Sequence, residues 1–261
     1  MSTQDLEIEL RGDQQEVAIV RLTRPAKRNA LNDALVLALK DMFDHLPESV
    51  GAVVLDGQGD HFCAGLDLSE LKERDAGQGV HHSRMWHSAL ERVQYGRVPV
   101  IAALHGAVVG GGLELASACH IRVADETTFY ALPEGSRGIF VGGGGAVRIP
   151  RLIGVARMTD MMLTGRVYDA AEGERVGLAQ YLVPAGQAFD KALQLALVVA
   201  KNAPLTNYAL MHALPRIAEQ PADQGFMTEA LMAAIAQSAP EAKARVRAFL
   251  EGKAGKVQKS A

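Results

Sequence analysis

The sequence HGAVVGGGLELASACH, residues 105–120, places three consecutive glycines before an apolar, alanine-rich run that predicts a buried helix. Glycine has no Cβ atom, so the triplet lets the chain turn tightly and lets a ligand approach the main chain. The N-terminus of a helix presents unpaired N–H groups and a partial positive charge. We therefore expect a place that can hold a developing negative charge, with the carboxylate of Glu114 beside it.

Apolar runs typical of buried parallel strands lie before this stretch, at residues 51–55 (GAVVL) and 98–104 (VPVIAAL). Residues 6–10 and 17–23 alternate apolar with polar side chains around a Gly-Asp turn, which predicts a hairpin. Further short strands are expected at residues 120–124 and 128–132. Helices are predicted at residues 32–46, 80–95, 113–119, from about 142 onward, 189–202, 204–217, 224–238 and 240–250. This pattern predicts an α/β core over residues 1–186 and a helical region over residues 187–261 whose apolar faces need a partner surface.

Composition limits the class of protein. The chain has 261 residues, of which 48% are hydrophobic and 22% charged, and these proportions are ordinary for a globular protein. A net charge of -3 gives no indication of nucleic-acid binding. We expect a soluble cytoplasmic protein, because the chain has only two cysteines and a polar N-terminus. It lacks an apolar stretch of about 20 residues, so we do not expect it to span a membrane.

Three loops carry the residues with chemical potential: FCAGLDL at 62–68, GGGLE at 110–114, and LPEGSRGIFVGGGG at 132–145. Each follows a predicted strand, so the three could converge on one side of the sheet. Backbone N–H groups aimed at one carbonyl oxygen form an oxyanion hole, and a nearby pair of carboxylates can act as base and acid. The alternative is that the glycines only make turns, since nothing in the spacing forces Glu114 and Glu134 together.

Taken in order, HFCAGLDL (61–68), HGAVVGGGLELASACHIRVAD (105–125) and YALPEGSRGIFVGGGGAVRIPRLIG (130–154) resemble the enoyl-CoA hydratase/isomerase, or crotonase, family. The resemblance implies an α/β fold built as a spiral of ββα units. It also implies a C-terminal helical region that makes the contacts of a homotrimer, with trimers pairing into hexamers.

The resemblance assigns roles residue by residue. The N–H groups of Leu66 and Gly111 would form the oxyanion hole, Glu114 and Glu134 would be catalytic, and Gly142 would position the attacking water. Coenzyme A would contact a set of residues on two loops and, from a neighbouring subunit, the C-terminal region: Lys27, Arg28, Ala64, Asp67, Leu68 and Lys253. Coenzyme A is part of the acyl-CoA thioester substrate, and no separate cofactor is implied.

Retention of both glutamates favours hydration of an α,β-unsaturated acyl-CoA, which is a carbon–oxygen lyase reaction. The sequences of these loops are similar to those of the methylthioacryloyl-CoA hydratase branch, which suggests a short-chain or heteroatom-bearing acyl group. An isomerase or a hydratase-lyase on the same scaffold is the alternative, and a non-catalytic acyl-CoA-binding trimer is the alternative from a different class.

The predicted helix after the first loop carries three histidines, Trp86 and Met85. Its histidines, His81, His82 and His87, do not share one helix face, so we expect no metal site. Trp86 or Met85 is a candidate for the lining of the acyl pocket, and packing in the core is an equal alternative.

Overall fold

The computed structural model describes residues 5–70 and 72–253, and the chain divides into two compact units between Ala200 and Lys201. A six-stranded sheet in the first unit has the order β1-β2-β3-β4-β6-β9, in which only the β1–β2 pair is antiparallel. A three-stranded sheet has the order β5-β7-β8. The strands are β1 Leu6–Arg11, β2 Val17–Leu22, β3 Ala52–Gly57, β4 Val100–Leu104, β5 Ala107–Val109, β6 Ile121–Asp125, β7 Phe129–Ala131, β8 Tyr168–Asp169 and β9 Tyr181–Val183.

Helices cover both faces of the larger sheet. Seven belong to the first unit: α1 Asp33–Asp44, α2 Ala76–Gln94, α3 Gly111–Ala118, α4 Gly145–Ile153, α5 Val155–Thr164, α6 Ala170–Val176 and α7 Ala188–Val199. Alternate strand residues face opposite sides, so Ala18 and Val20 join the core with α1, α2 and α3, whereas Val17 and Ile19 join a second core under α7.

The second unit, as far as Lys253, contains four α-helices: α8 Pro204–Tyr208, α9 Leu214–Ile217, α10 Ala222–Ser238 and α11 Pro240–Leu250. A π-helical turn, Ala209–Ala213, links α8 to α9, so residues 204–217 form one nearly continuous helix as predicted. Several large apolar side chains of this unit remain exposed, among them Phe226, Leu231, Phe249 and Leu250. Such exposure in the single chain fits the expectation that these helices need a partner surface.

The sequence predicted the main elements, with two differences. The compact first unit ends at Ala200 and not at residue 186, because α7 buries Ala188, Ala192 and Ala196 against the sheet. The strands β5, β8 and β9 and the helix α6 were not predicted. Strands of two or three residues, such as β5 and β8, are too short to show a periodic pattern, and they pair because neighbouring elements bring them together.

Candidate active site

The glycine triplet joins β5 to α3. Its first and last positions each require glycine, for different geometric reasons. Gly110 caps α3 with a φ of 52°, in a region that glycine tolerates and most residues do not. A Cβ built on Gly112 would lie 2.3 Å from the carbonyl oxygen of Cys63, so α3 packs directly on the loop after β3. The triplet therefore fixes two chain segments against each other.

Leu66 and Gly111 lie side by side where these segments meet. A Cβ built on Gly111 would be 3.5 Å from Leu66 N, and one built on Gly65 would be 3.4 Å from Gly111 N. Within residues 5–70 and 72–253, neither N–H donates to a protein acceptor. Leu31 bonds both neighbours of Leu66, accepting from Asp67 N at 2.8 Å and donating to Gly65 O at 2.7 Å, which leaves the Leu66 amide free to point elsewhere. Two adjacent unpaired donors can bind one carbonyl oxygen.

Glu114 is 4% exposed, and its Oε1 accepts two backbone hydrogen bonds, from Gly143 N and Gly145 N, both at 2.8 Å. These amides lie at the N-terminus of α4, where the helix favours a negative charge. Burial raises the pKa of Glu114 and repulsion from Glu134 adds to it, while the two amides and Arg148 act in the opposite direction. The result is a raised pKa in a carboxylate that is nonetheless well supported when ionised.

Glu134 differs from Glu114 in its surroundings. It is 7% exposed and its Oε2 has no hydrogen-bond partner among the described residues, while its Oε1 lies 2.7 Å from the Cβ position of Gly110. Burial raises the pKa of Glu134, and the charge of the exposed Arg137 only partly opposes it. A buried carboxylate oxygen without a donor favours the protonated form. The two acids therefore have contrasting environments beside one pair of N–H donors.

Asp67 is buried and engaged by its own protein. Its carboxylate accepts from Ser69 Oγ at 2.6 Å and from Arg24 Nη2 at 2.9 Å, and Lys27 Nζ lies 3.6 Å away. The hydrogen bond from Ser69 is the largest cause that lowers the pKa of Asp67 to about 2, with burial opposing it and Arg24 adding to it. Its side chain therefore holds the loop together, and its contact to coenzyme A stays a prediction.

Asp67→Asn is expected to lower the free energy of unfolding at pH 7 by about 2 kcal/mol, because Ser69 and the half-buried Arg24 lose a charged acceptor, and each unit of the pKa difference corresponds to about 1.4 kcal/mol. The folded pKa of about 2 lies below the unfolded value of 3.8, so this stability is present above pH 3.8 and disappears as the pH falls through 2. Urea unfolding from pH 7 to pH 2 should show the variant and the wild type converging in acid. Asn in place of the exposed Asp13 is the control, and equal stability of the Asp67 variant at pH 7 would contradict the prediction.

The other residues of the first unit that are predicted to contact coenzyme A lie near Asp67. Lys27, Arg28 and Leu68 are exposed, and Ala64 N donates to Arg28 O at 2.9 Å. Asn29 is fully buried and ties this basic turn to the loop after β3, since its Nδ2 donates to Gln58 O and His61 O. Lys253 belongs to the second unit, where it is exposed and pairs with Glu251 at 2.7 Å.

A cavity of about 530 Å³ opens beside Leu66, between the N-terminus of α1 and the start of α2. Lys72, Arg74 and His82 bring positive or protonatable groups to its wall. Asp33, on the same wall, accepts from Trp86 Nε1 at 2.9 Å and lies 2.7 Å from His82 Nε2. Burial tends to raise the pKa of Asp33, but its hydrogen bonds to Trp86 and His82, together with nearby positive charge, bring it below the ordinary value.

Trp86 and Met85 lie on α2, as predicted. Trp86 is 4% exposed, and its Cζ3 lies 3.5 Å from the Cβ position of Gly111, whereas Met85 is half-buried against the core. Trp86 therefore packs in the core and also lies against Gly111, and its contact with an acyl group stays a prediction. Burial raises the pKa of both Cys63 and Cys119 to about 12, which suits structural thiols rather than nucleophiles.

Two polar residues that the sequence did not single out support the loop of four glycines. Arg148 is 8% exposed; its Nη1 donates to Gly143 O at 3.0 Å and its Nε to Gln94 Oε1 at 2.7 Å. Ser83 Oγ donates to Gly142 O at 2.6 Å. Ser83 acts across a large sequence separation. Arg148 lies within the segment 130–154 that carries the resemblance, but nothing in that segment indicates its contacts with Gly143 O and Gln94 Oε1.

Comparisons with known proteins agree with this geometry. A family model described as enoyl-CoA hydratase/isomerase matches residues 12–258. The chain is 32% identical over 259 residues to enoyl-CoA hydratase EchA19 of Mycobacterium tuberculosis, covering 97% of this chain and 96% of the relative. It is 33% identical over 242 residues to 2,3-dehydroadipyl-CoA hydratase of Escherichia coli, covering 91% and 93%.

Solved structures are similar over the same length. A candidate enoyl-CoA hydratase from Rhodopseudomonas palustris CGA009 shares 61% identity with a TM-score of 0.92, and the match covers 95% of each chain. An enoyl-CoA hydratase from Bacillus anthracis shares 30% identity with a TM-score of 0.88, covering 96% of this chain and 97% of the other.

These likenesses confirm the α/β crotonase-like fold with a C-terminal helical region that the sequence predicted. No helix in the described part of the chain combines the length and hydropathy of a bilayer-spanning segment. The family model covers nearly the whole chain, and two curated relatives above 30% identity are covered almost end to end. The chain belongs to the enoyl-CoA hydratase/isomerase family.

Proposed function

We propose that the protein is an enoyl-CoA hydratase, which adds water across the α,β double bond of a short-chain or heteroatom-bearing enoyl-CoA thioester. The observation that carries the proposal is the pairing of two buried glutamates with two unpaired backbone donors. Glu114 is supported by two amides, and Glu134 Oε2 has no partner among the described residues. Hydration needs a base, an acid and a site for negative charge, and this set provides all three.

In the proposed reaction the thioester oxygen accepts hydrogen bonds from Leu66 N and Gly111 N. Negative charge gathers on this oxygen as water attacks Cβ, and the two donors together with the N-terminus of α3 stabilise it. A fixed pair of donors favours the transition state over the substrate, since the charge is largest there.

We assign Glu114 to the water and Glu134 to the proton at Cα. The amides of Gly143 and Gly145 support Glu114 as a carboxylate, which is the form that a base requires. Burial, with no donor to Oε2 among the described residues, outweighs the hydrogen bond from its own backbone N–H and supports Glu134 as a carboxylic acid, which is the form that delivers a proton. The two groups titrate as a coupled pair, because the charge of Glu134 acts on Glu114. Gly142, in the same glycine run, is the proposed contact for the attacking water.

Coenzyme A would enter past the exposed Lys27, Arg28 and Leu68, with Ala64 and Asp67 on the loop beneath. The cations Lys72 and Arg74 of the neighbouring cavity suit its phosphate groups. Trp86 and Met85 would border the acyl group. Lys253 would reach coenzyme A from a neighbouring subunit of a homotrimer or of a hexamer built from two trimers, and the exposed apolar side chains of α10 and α11 support such assembly.

The loop sequences are similar to those of methylthioacryloyl-CoA hydratases, so methylthioacryloyl-CoA is the first substrate to test. The name of the E. coli relative indicates an unsaturated dicarboxylic thioester as a second substrate to test. Incubation with a panel of enoyl-CoA thioesters, read by mass spectrometry, separates the alternatives. A hydratase adds one water, an isomerase leaves the mass unchanged and a hydratase-lyase splits the acyl chain. Tight binding without turnover across the panel would indicate a non-catalytic acyl-CoA-binding trimer and overturn the proposal.

A further inference from the structure

The peptide bond between Gly142 and Gly143 has both of its polar ends engaged. Its carbonyl oxygen, on Gly142, accepts from Ser83 Oγ at 2.6 Å, and its amide, on Gly143, donates to Glu114 Oε1 at 2.8 Å. Ser83 lies on α2, far from Glu114 in sequence, and reaches it through this single peptide plane. A hydrogen bond accepted by a peptide carbonyl polarises the group and strengthens the bond that its N–H donates.

His87 lies one helical turn after Ser83 and extends the chain of hydrogen bonds. Its Nε2 is 3.2 Å from Ser83 Oγ. Because the Ser83 hydroxyl proton is directed to Gly142 O, Ser83 has only its lone pairs to offer His87, so His87 Nε2 is the donor. Every proton in the chain from His87 through Ser83 to the peptide is thus directed towards Glu114.

We propose that Ser83 and His87 are positioning residues for Glu114, acting through the Gly142–Gly143 peptide to orient its carboxylate and to favour its ionised form. This inference rests on the proposed role of Glu114 as the base. Arg148 completes the support from the other side, since its Nη1 donates to the next carbonyl, Gly143 O, at 3.0 Å. A side chain of α2 therefore holds the Gly142–Gly143 peptide that donates to Glu114, and a side chain of α4 holds the carbonyl group of the next peptide.

The charged groups around these hydrogen bonds shift the pKa values of Glu114 and His87. Glu134 raises the pKa of Glu114, and Arg148 lowers it. Burial is the main cause that lowers the pKa of His87, with Arg84 and Arg148 adding to it, while Glu91 and a hydrogen bond to the Gly142 backbone oppose it. A neutral His87 still carries one N–H, so the chain needs no positive charge on the imidazole to remain intact.

Ser83→Ala removes the donor to Gly142 O and leaves the fold contacts of α2 in place. We expect kcat for hydration to fall by about 5-fold with little change in KM, since a lost hydrogen bond of this kind contributes about 1 kcal/mol. The acidic limb of the rate profile should move to higher pH by about half a unit, because the Glu114 carboxylate loses support. Ser83→Thr keeps the hydroxyl and should restore both readouts, and His87→Ala should change them in the same direction by less.

Ser88→Ala is the matched control, because this exposed serine on the same helix bonds only to its own helix, at Met85 O. Wild-type kcat and an unmoved acidic limb in Ser83→Ala would overturn the inference. Loss of activity through a smaller folded fraction, with the limb unmoved, would also overturn it by assigning Ser83 a structural role alone.

A titration without substrate separates this inference from the proposed function. In protein labelled with ¹³C-carboxyl glutamate, the Glu114 signal is identified by its absence in Glu114→Gln. Its apparent pKa should be higher in Ser83→Ala than in the wild type and in Ser83→Thr, whether or not any enoyl-CoA is hydrated. Identical titration in all three proteins would overturn the inference, whereas failure of hydration alone would overturn only the proposed function.

Discussion

Glu114→Gln and Glu134→Gln should each lower kcat for hydration of crotonyl-CoA or methylthioacryloyl-CoA by roughly a thousandfold, the usual contribution of a positioned acid or base. The amide of glutamine has nearly the shape of the carboxyl group but neither takes a proton from water nor delivers one to carbon. KM should change little, because neither side chain is assigned to coenzyme A. The loss of absorbance of the enoyl thioester measures the rate directly.

Stability provides a check that these losses are chemical. Burial raises the pKa of both glutamates, so each folded pKa lies above the unfolded value near 4.5. Their favourable contribution is therefore present below that value and is lost as the pH rises through the folded pKa. At pH 7 a neutral glutamine removes this penalty, so both variants should unfold at the same or a higher urea concentration than the wild type.

The double variant tests whether the two acids act as one unit. Groups that share a single step are strongly non-additive, so the double variant should be scarcely slower than the slower single variant. Glu126→Gln is the control, because Glu126 is an exposed acid between the two in sequence. A single variant that retains more than a tenth of the wild-type rate would remove its glutamate from the mechanism.

The sequence predicted the structure best where a residue type has a single structural role, as apolar residues have in the core and glycine has in tight turns. The apolar strands and the helical C-terminal region followed from periodicity, because burial requires it. The glycine triplet predicted a tight turn, which Gly110 makes with a φ of 52°, and the close packing of Gly112 on Cys63 O was an additional use of it. Site residues were named through resemblance, and the fold places Leu66 beside Gly111 and the charge of Glu134 within reach of Glu114.

The hydrogen-bond partners of the polar side chains around the site could not be predicted from the sequence, because most of them come from distant segments of the chain. Nothing in the sequence indicates that Arg148 is buried, yet its side chain packs against the glycine loop. Asp67 reads as a free carboxylate near coenzyme A, yet Arg24 and Ser69 already occupy it. Ser83 gives no signal at all, because its importance arises from a single peptide that arrives from another part of the chain.

Gly111→Ala should lower kcat by several hundredfold while leaving the fold intact, because its methyl group would separate the thioester oxygen from Leu66 N, and loss of an oxyanion donor costs about 10²- to 10³-fold. A methyl group on Gly111 would meet only ordinary contacts, the nearest being Leu66 N and Trp86 Cζ3, both at 3.5 Å. The backbone of Gly111 needs no left-handed conformation, unlike that of its neighbour Gly110. The substitution is therefore tolerated by the protein but places carbon beside the second donor, where the thioester oxygen must bind.

Kinetics and binding together test this expectation. Because the charge on the thioester oxygen is largest in the transition state, kcat should fall far more than the affinity for the substrate. Gly79→Ala on α2 is the matched control, since its Cβ would have no atom within 4 Å. Unchanged urea unfolding with a lost rate would support the oxyanion hole at Leu66 and Gly111. A wild-type rate in Gly111→Ala would mean that the thioester oxygen binds elsewhere. The assignment of Glu114 to the water that attacks Cβ and of Glu134 to the proton at Cα would then be wrong, because both assignments depend on that position of the substrate.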